Sequence, residues 1–146
     1  MNLRRQAHLI WTALPRAAHR HGFGVQSPWA YELIRDVLYE RLHYYAYSDL
    51  QLRTPEQRQL YRIRLHYRHQ PLVVITDTAS VARQQYQQVV DTATADTVLV
   101  VEHTDDANAR LWKYITDDPR AIITFDMGSR GLVIFDSKRI KQNYIL

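Results

Sequence analysis

The feature that most constrains this chain is the alternation, in its second half, of short continuous apolar runs with longer stretches of helical spacing. Leu72-Val73-Val74-Ile75 and Thr97-Val98-Leu99-Val100-Val101 have the length and β-branched content of strands buried on both faces. Val81, Tyr86, Val89 and Val90 follow the first run at helical spacing, and Ala107, Leu111, Trp112 and Ile115 follow the second. Strand, helix, strand, helix predicts a parallel sheet, because parallel neighbours need a crossover and cannot be joined by a tight turn. The pattern then changes. Ala121-Ile122-Ile123-Thr124-Phe125 and Gly131-Leu132-Val133-Ile134-Phe135 flank Met127-Gly128-Ser129-Arg130, which reads as the turn of an antiparallel hairpin. Gly128 and Gly131 are expected in or beside that turn, where positive backbone angles favour glycine.

The first half reads as helices. Leu3, Ala7, Ile10, Trp11 and Leu14 share one face until Pro15, and the loop His21-Gly22-Phe23-Gly24 follows. Ser27-Pro28 opens a second helix, serine as N-cap and proline at the first position, with Trp29, Tyr31, Leu33, Ile34, Val37 and Leu38 on its apolar side. The aromatic cluster Tyr44-Tyr45-Ala46-Tyr47 closes it. Thr54-Pro55-Glu56-Gln57 begins a third helix, threonine and glutamine spaced as a capping box, and this helix is expected to run to about His69. A chain of 146 residues, 46% of them hydrophobic, is expected to form a single domain, helical over 1–70 and α/β over 71–146.

The absence of cysteine excludes disulfides, thiolate metal sites and a cysteine nucleophile, and suits the cytoplasm. The first twenty residues carry Arg4 and Arg5, but His8, Thr12 and Pro15 interrupt the apolar stretch that a secretion signal needs. No run approaches the roughly 20 apolar residues of a membrane-spanning helix, so no membrane partner is expected. The net charge of +4 gathers early, in Arg4, Arg5, Arg16, Arg20, Arg53, Arg58, Arg62, Arg64 and Arg68. Solvated helix faces account for it, and a phosphate backbone is the alternative.

Several residues invite a chemical reading. Asp77 follows a predicted strand, where ligand-binding side chains gather in open α/β sheets, although an aspartate there also caps helices. Glu102-His103 with Asp105-Asp106 could present oxygen and imidazole ligands, but acids at the start of a helix serve equally well as dipole partners, and no metal is expected. His19 and His21 bracket a basic loop and could donate protons or contact phosphate. Tyr44, Tyr45 and Tyr47 could stack on a base, or pack half-buried against the third helix.

Two segments carry a family resemblance. Arg20-His21-Gly22-Phe23-Gly24-Val25-Gln26-Ser27-Pro28-Trp29 is similar to the histidine-glycine loop and Ser-Pro-aromatic helix start of a group of class I S-adenosylmethionine-dependent methyltransferases common in Bacteroidetes, and Tyr44-Tyr45-Ala46-Tyr47 resembles their next marker. Ile122 to Phe135, with the basic tail Lys138-Arg139-Ile140-Lys141-Gln142, resembles their closing hairpin. The resemblance implies a truncated, Rossmann-like mixed sheet of about four strands after the N-terminal helices, ending in an antiparallel hairpin. It points to His21, Gly22 and Gln26 as binding candidates beside His19, Asp77, Glu102 and His103, with glutamine where the family often has histidine.

The chain departs from the family in the middle, where a glycine-rich turn should let the backbone approach the cofactor. No glycine occurs between Gly24 and Gly128. Leu72 to Thr76 can be placed as the family's fourth strand and Thr97 to Val101 as its fifth; alternatively, Leu72 to Thr76 is the first strand, with Thr76-Asp77-Thr78-Ala79 replacing the glycine turn. The first placement keeps sequential strands adjacent. Either removes most of a nucleoside pocket. The expectation is a non-catalytic, methyltransferase-like protein without cofactor, binding a protein partner or pairing as a homodimer through the edge strand Leu72-Thr76. A small methyltransferase that completes its S-adenosylmethionine pocket by dimerisation, and a basic nucleic-acid-binding module, are the alternatives.

Overall fold

The computed structural model describes residues 27–146, which fall into two compact units, one made of the residues up to His66 together with Leu146 and the other spanning Tyr67–Ile145. The described part of the first unit is helical. Helix α1, Pro28–Leu33, is capped by Ser27, whose Oγ accepts the Ala30 N–H at 3.4 Å, and it passes into a π-helical turn over Ile34–Leu38. The tyrosine cluster does not close this helix. It leads into a separate short helix, α2, Ala46–Asp49, with Tyr45 at its N-cap and Tyr47 within it. Helix α3, Pro55–His66, begins with the expected capping box: Gln57 N–H donates to Thr54 Oγ1 at 3.2 Å, and Gln57 Oε1 accepts the Thr54 N–H at 3.1 Å. It stops at His66, three residues short of the expected end.

Arg62 corrects the reading of the arginines as solvated faces. Its guanidinium is buried, with Nε donating to Val37 O at 2.7 Å, Nη2 to Leu38 O at 2.9 Å and Nη1 to the Tyr47 hydroxyl at 3.1 Å. It thereby serves the carbonyls that the end of the π-helical turn leaves without intrahelical donors, and Gln59 Nε2 adds a further bond to Leu38 O at 3.0 Å. Tyr47 is buried beside Tyr61 of α3 and beneath Arg58, as expected of a packed tyrosine, whereas Tyr45 is exposed.

The second unit is the α/β part. Strand β1, Leu72–Ile75, leads through helix α4, Ala79–Thr92, to β2, Val98–Glu102; helix α5, Ala109–Asp117, leads to β3, Ile123–Asp126, and β4, Arg130–Ile134. A fifth strand, β5, Gln142–Ile145, follows. The order is β1-β2-β4-β3-β5, with β1 parallel to β2, β4 antiparallel to both β2 and β3, and β5 parallel to β3. The fold is thus α/β with a mixed sheet and the expected hairpin, but with one strand more than the sequence suggested. Gln142, the last residue of the segment read as a basic tail, begins β5, which carries little apolar alternation; its Tyr144 stacks on Phe125 at 5.1 Å.

Helices α4 and α5 cover one face of the sheet, where Ala82, Tyr86, Val89, Val90, Leu111, Trp112 and Ile115 meet Ile75, Leu99, Val101, Val133 and Phe135. Val81 does not belong to this face; Ala82 takes its place, and Val81 is exposed. Gly131 lies directly under the Trp112 ring, and its φ is not positive. Close approach, rather than turn geometry, is what requires glycine there. Gly128, at φ 94° in the hairpin turn, does meet the turn expectation. Strand β2 is central and almost fully buried, whereas β1 is an edge strand with only Ile75 buried, so the expectation that both its faces are covered does not hold.

A polar triad, with Tyr86 and Asp118 buried and Arg120 exposed, ties the middle of α4 to the C-terminal end of α5. The Tyr86 hydroxyl donates to Asp118 Oδ2 at 2.8 Å, and Arg120 donates to the same carboxylate through its guanidinium and its backbone N–H. Burial alone would raise the Asp118 pKa, but the Arg120 and Tyr86 hydrogen bonds outweigh it and hold the carboxyl below the ordinary range. A depressed carboxylate stabilises the fold above its unfolded pKa, near 4, and this contribution drains away as the pH falls through the folded value. Asp118→Asn is therefore expected to cost most near neutrality, with its stability deficit against wild type narrowing as the pH falls below the ordinary carboxylate range. Urea titrations from neutral to acid pH check this; a constant deficit would contradict it.

Candidate functional site

In open α/β sheets ligands bind outside the carboxyl ends of the parallel strands, so the loops after β1 and β2 are where a site is sought. Asn108 organises them. Its side chain is fully buried, and its Oδ1 accepts the Ala79 N–H at 3.0 Å while its Nδ2 donates to Asp77 O and to Glu102 O, both at 2.9 Å. One amide thus joins the end of β1, the first turn of α4 and the end of β2. It leaves three backbone groups of these loops already paired. The loops themselves are bent tightly, with Ala79 at φ 55° and His103 at φ 60°, left-handed values that side chains other than glycine adopt at a cost.

The candidate residues take up positions around this clasp. The Asp77 carboxylate does not cap α4; it accepts Gln85 Nε2 at 2.7 Å, further along that helix, and Thr78 stands at the N-cap without a side-chain bond. Glu102 is half-buried and accepts Arg130 Nε at 2.5 Å across the β2–β4 pair. His103 is exposed, and its carbonyl accepts the Asn108 N–H at 2.9 Å. The acids Asp105 and Asp106 are not the cap of α5, since that position belongs to Asn108. Among the described residues no group of three or more His, Cys, Asp or Glu side chains could hold a metal ion. His19, His21, Gly22 and Gln26 lie outside the described residues.

The hairpin turn is tied into the same end of the sheet. Thr104 Oγ1 donates to Gly128 O at 2.9 Å, Thr104 N–H to Ser129 O at 3.2 Å, and Gly128 N–H to Asp126 Oδ1 at 2.8 Å. Asp77, Glu102 and His103 are thus brought to one end of the sheet, but two of the three spend their side chains on neighbours in the chain. Asn108, Thr104 and Arg130, which sequence reasoning missed, hold the region together. Neither a protein-family model, nor a curated protein, nor a solved structure matches the chain.

Strand order bears on what this end of the sheet can do. Nucleotide crevices open where the strand order reverses and helices switch faces. Among the described residues the crossovers from β1 to β2 and from β2 to β3 advance in one direction, and α4 and α5 share one face. A separate cleft of about 310 Å³ lies between α5 and strands β3 and β5, lined by Trp112, Lys113, Asp117, Thr124, Asp126 and Asn143 among others. Several of its polar groups are bound to one another, Lys113 to Asp117, Thr124 to Asn143 and Asn143 to Thr116 O, and Asp126 is bound to the Gly128 N–H. A narrower groove, about 270 Å³, runs along the open edge of β1 beneath Gln85, Gln88 and Thr92 of α4.

Among the described residues no helix is long and apolar enough to cross a membrane.

Proposed function

We propose that this chain is a non-catalytic, methyltransferase-like protein that acts by binding protein rather than by transferring a methyl group. The observation that carries the reading is the Asn108 clasp, which ties the backbone groups of the β1 and β2 loops to the chain itself. A nucleoside cofactor would have to compete for those groups. The absence of any glycine between Gly24 and Gly128 supports the same reading, as does Ala79 at a left-handed position after β1. Among the described residues the one-way strand order gives no switch-point crevice, so the residues at this end of the sheet fit S-adenosylmethionine poorly.

Kinship with the methyltransferases draws support from the layout, two parallel strands completed by a hairpin whose return strand lies antiparallel beside the second of them. The edge position of β1 favours its assignment as the family's fourth strand, since the strands missing from the chain would lie beyond that edge. We place the protein in the cytoplasm, which suits a chain of 146 residues without cysteine. Isothermal titration of the full chain with S-adenosylmethionine tests the reading. No heat of binding is expected at high protein concentration; a dissociation constant in the micromolar range would contradict it.

A further inference from the structure

The open edge of β1 has a pattern of its own. Val98 N–H donates to Pro71 O, and the alternation of a parallel ladder then turns the backbone groups of Pro71, Val73 and Ile75 towards β2 and those of Leu72 and Val74 outward. The strand is uncharged, Val73 is 37% exposed on the face that carries α4, and the neighbouring helix contributes Gln85, Gln88 and Thr92, also uncharged. Gln85 adds a second observation. Its amide nitrogen is spent on Asp77, while its Oε1 is buried without a hydrogen-bond partner, beside the groove. A buried carbonyl oxygen lacking a donor is costly, so the groove is poised to receive one. The strand itself carries no charge; before it stands Arg68, whose Nε donates to His69 Nε2 at 3.2 Å, and after it the acidic Asp77.

We infer that a second copy of this chain pairs antiparallel with β1 about a two-fold axis through Val73, a reading that rests on the proposal that the protein acts by binding protein. The ends decide both partner and register. Antiparallel pairing brings the basic end of one copy to the acidic end of the other, and centring it on Val73 sets Asp77 opposite His69, with Arg68 adjacent. The same register makes Leu72 and the second copy's Val74 a hydrogen-bonded pair, and the reverse, so the outward backbone groups of both strands are satisfied together. Val73 then faces its own counterpart as a non-hydrogen-bonded pair, the closer kind, about 4.5 Å between Cα atoms. The second copy's side chains come against the groove that Gln85 lines.

The chain contains no cysteine, so a single introduced thiol reads the register directly. Mild oxidation of Val73→Cys is expected to give a disulfide-linked dimer roughly tenfold or more faster than Ser137→Cys, an exposed thiol outside the strand, because the axis holds the two thiols at bonding distance. Light scattering on the wild type should report a dimer, and Val74→Pro, which removes an outward donor without touching the β1–β2 ladder, should report a monomer with an unchanged circular dichroism spectrum. Asp77→Arg should weaken the dimer, and the double variant Asp77→Arg, His69→Asp should restore it. A wild type that stays monomeric up to its solubility limit, or a dimer that crosslinks no faster at Val73 than at Ser137, overturns the inference. The titration with S-adenosylmethionine separates the two proposals: a monomer that binds none overturns the pairing alone, and a dimer that binds it overturns the non-catalytic reading alone.

Discussion

Gly131→Val is expected to destabilise the protein by about 3 kcal/mol, equivalent to roughly 10 °C in Tm, the largest effect of any single glycine replacement in the described residues. A Cβ at this position would fall within the Trp112 indole, and the ring is a poor candidate for moving aside, being only 6% exposed and packed among Leu99, Val101 and Ile115. Gly131→Ala should already be costly, since it introduces the same Cβ. Gly128→Val offers the contrast. That glycine has φ 94°, but a Cβ added there would meet no atom within 4 Å, so the penalty is backbone strain alone, about 1–2 kcal/mol. Combining Gly131→Ala with Trp112→Leu should cost less than the sum of the two changes, because the smaller side chain vacates the space the methyl needs. Equal urea midpoints for Gly128→Val and Gly131→Val would show that Trp112 does not constrain the sheet.

Asn108→Ala is the second large effect. Its loss strips hydrogen-bond partners from the Ala79 N–H and from the Asp77 and Glu102 carbonyls at once, and a fully buried site leaves water little access to replace them. At roughly 1 kcal/mol for each group left unpaired, a cost of about 3 kcal/mol is expected. Asn108→Asp should be at least as costly near neutrality, for it keeps an acceptor for Ala79 but aims a buried carboxylate at two carbonyls. Equilibrium denaturation gives the magnitude, and hydrogen exchange gives the location: the Ala79 amide should lose protection more than amides in the middle of β2. A loss below about 0.5 kcal/mol, with Ala79 still protected, would mean that the clasp contributes no more than an ordinary surface residue.

How much of this was legible in the sequence depended on where the signal came from. Apolar runs and caps carry their own information, so β1 to β4, the Ser27 cap and the Thr54–Gln57 box could be read from local pattern. Strand β5 could not, because Gln142-Asn143-Tyr144-Ile145 is defined by its pairing with β3 rather than by apolar alternation. Arg62 looked like one more arginine on a helix face, and nothing local shows that its donors end on carbonyls 24 and 25 residues away. Position was equally hidden. The run Leu72-Val73-Val74-Ile75 has the composition of a central strand, and only the sheet order reveals it as an edge.

The candidate site followed the same division. Asp77, Glu102 and His103 stood out because they are polar residues directly after apolar runs, and the fold does gather them at one end of the sheet. Their partners were not readable, since Gln85, Arg130 and Asn108 lie 8, 28 and 5–31 residues from the groups they bind or accept from. An asparagine just before a helix suggests a cap. Asn108 instead sends its amide across to a neighbouring strand end, a role that depends on β1 and β2 lying side by side.

The central claim is that the carboxyl ends of β1 and β2 are closed by the chain's own groups and do not form a nucleoside site. The most direct measurement is an amide nitrogen–proton correlation spectrum of the full chain recorded during titration with S-adenosylmethionine. The account predicts that the signals of Ala79, Glu102, His103, Thr104 and Asn108 stay in place throughout the titration. Saturable shifts concentrated on those amides would contradict it.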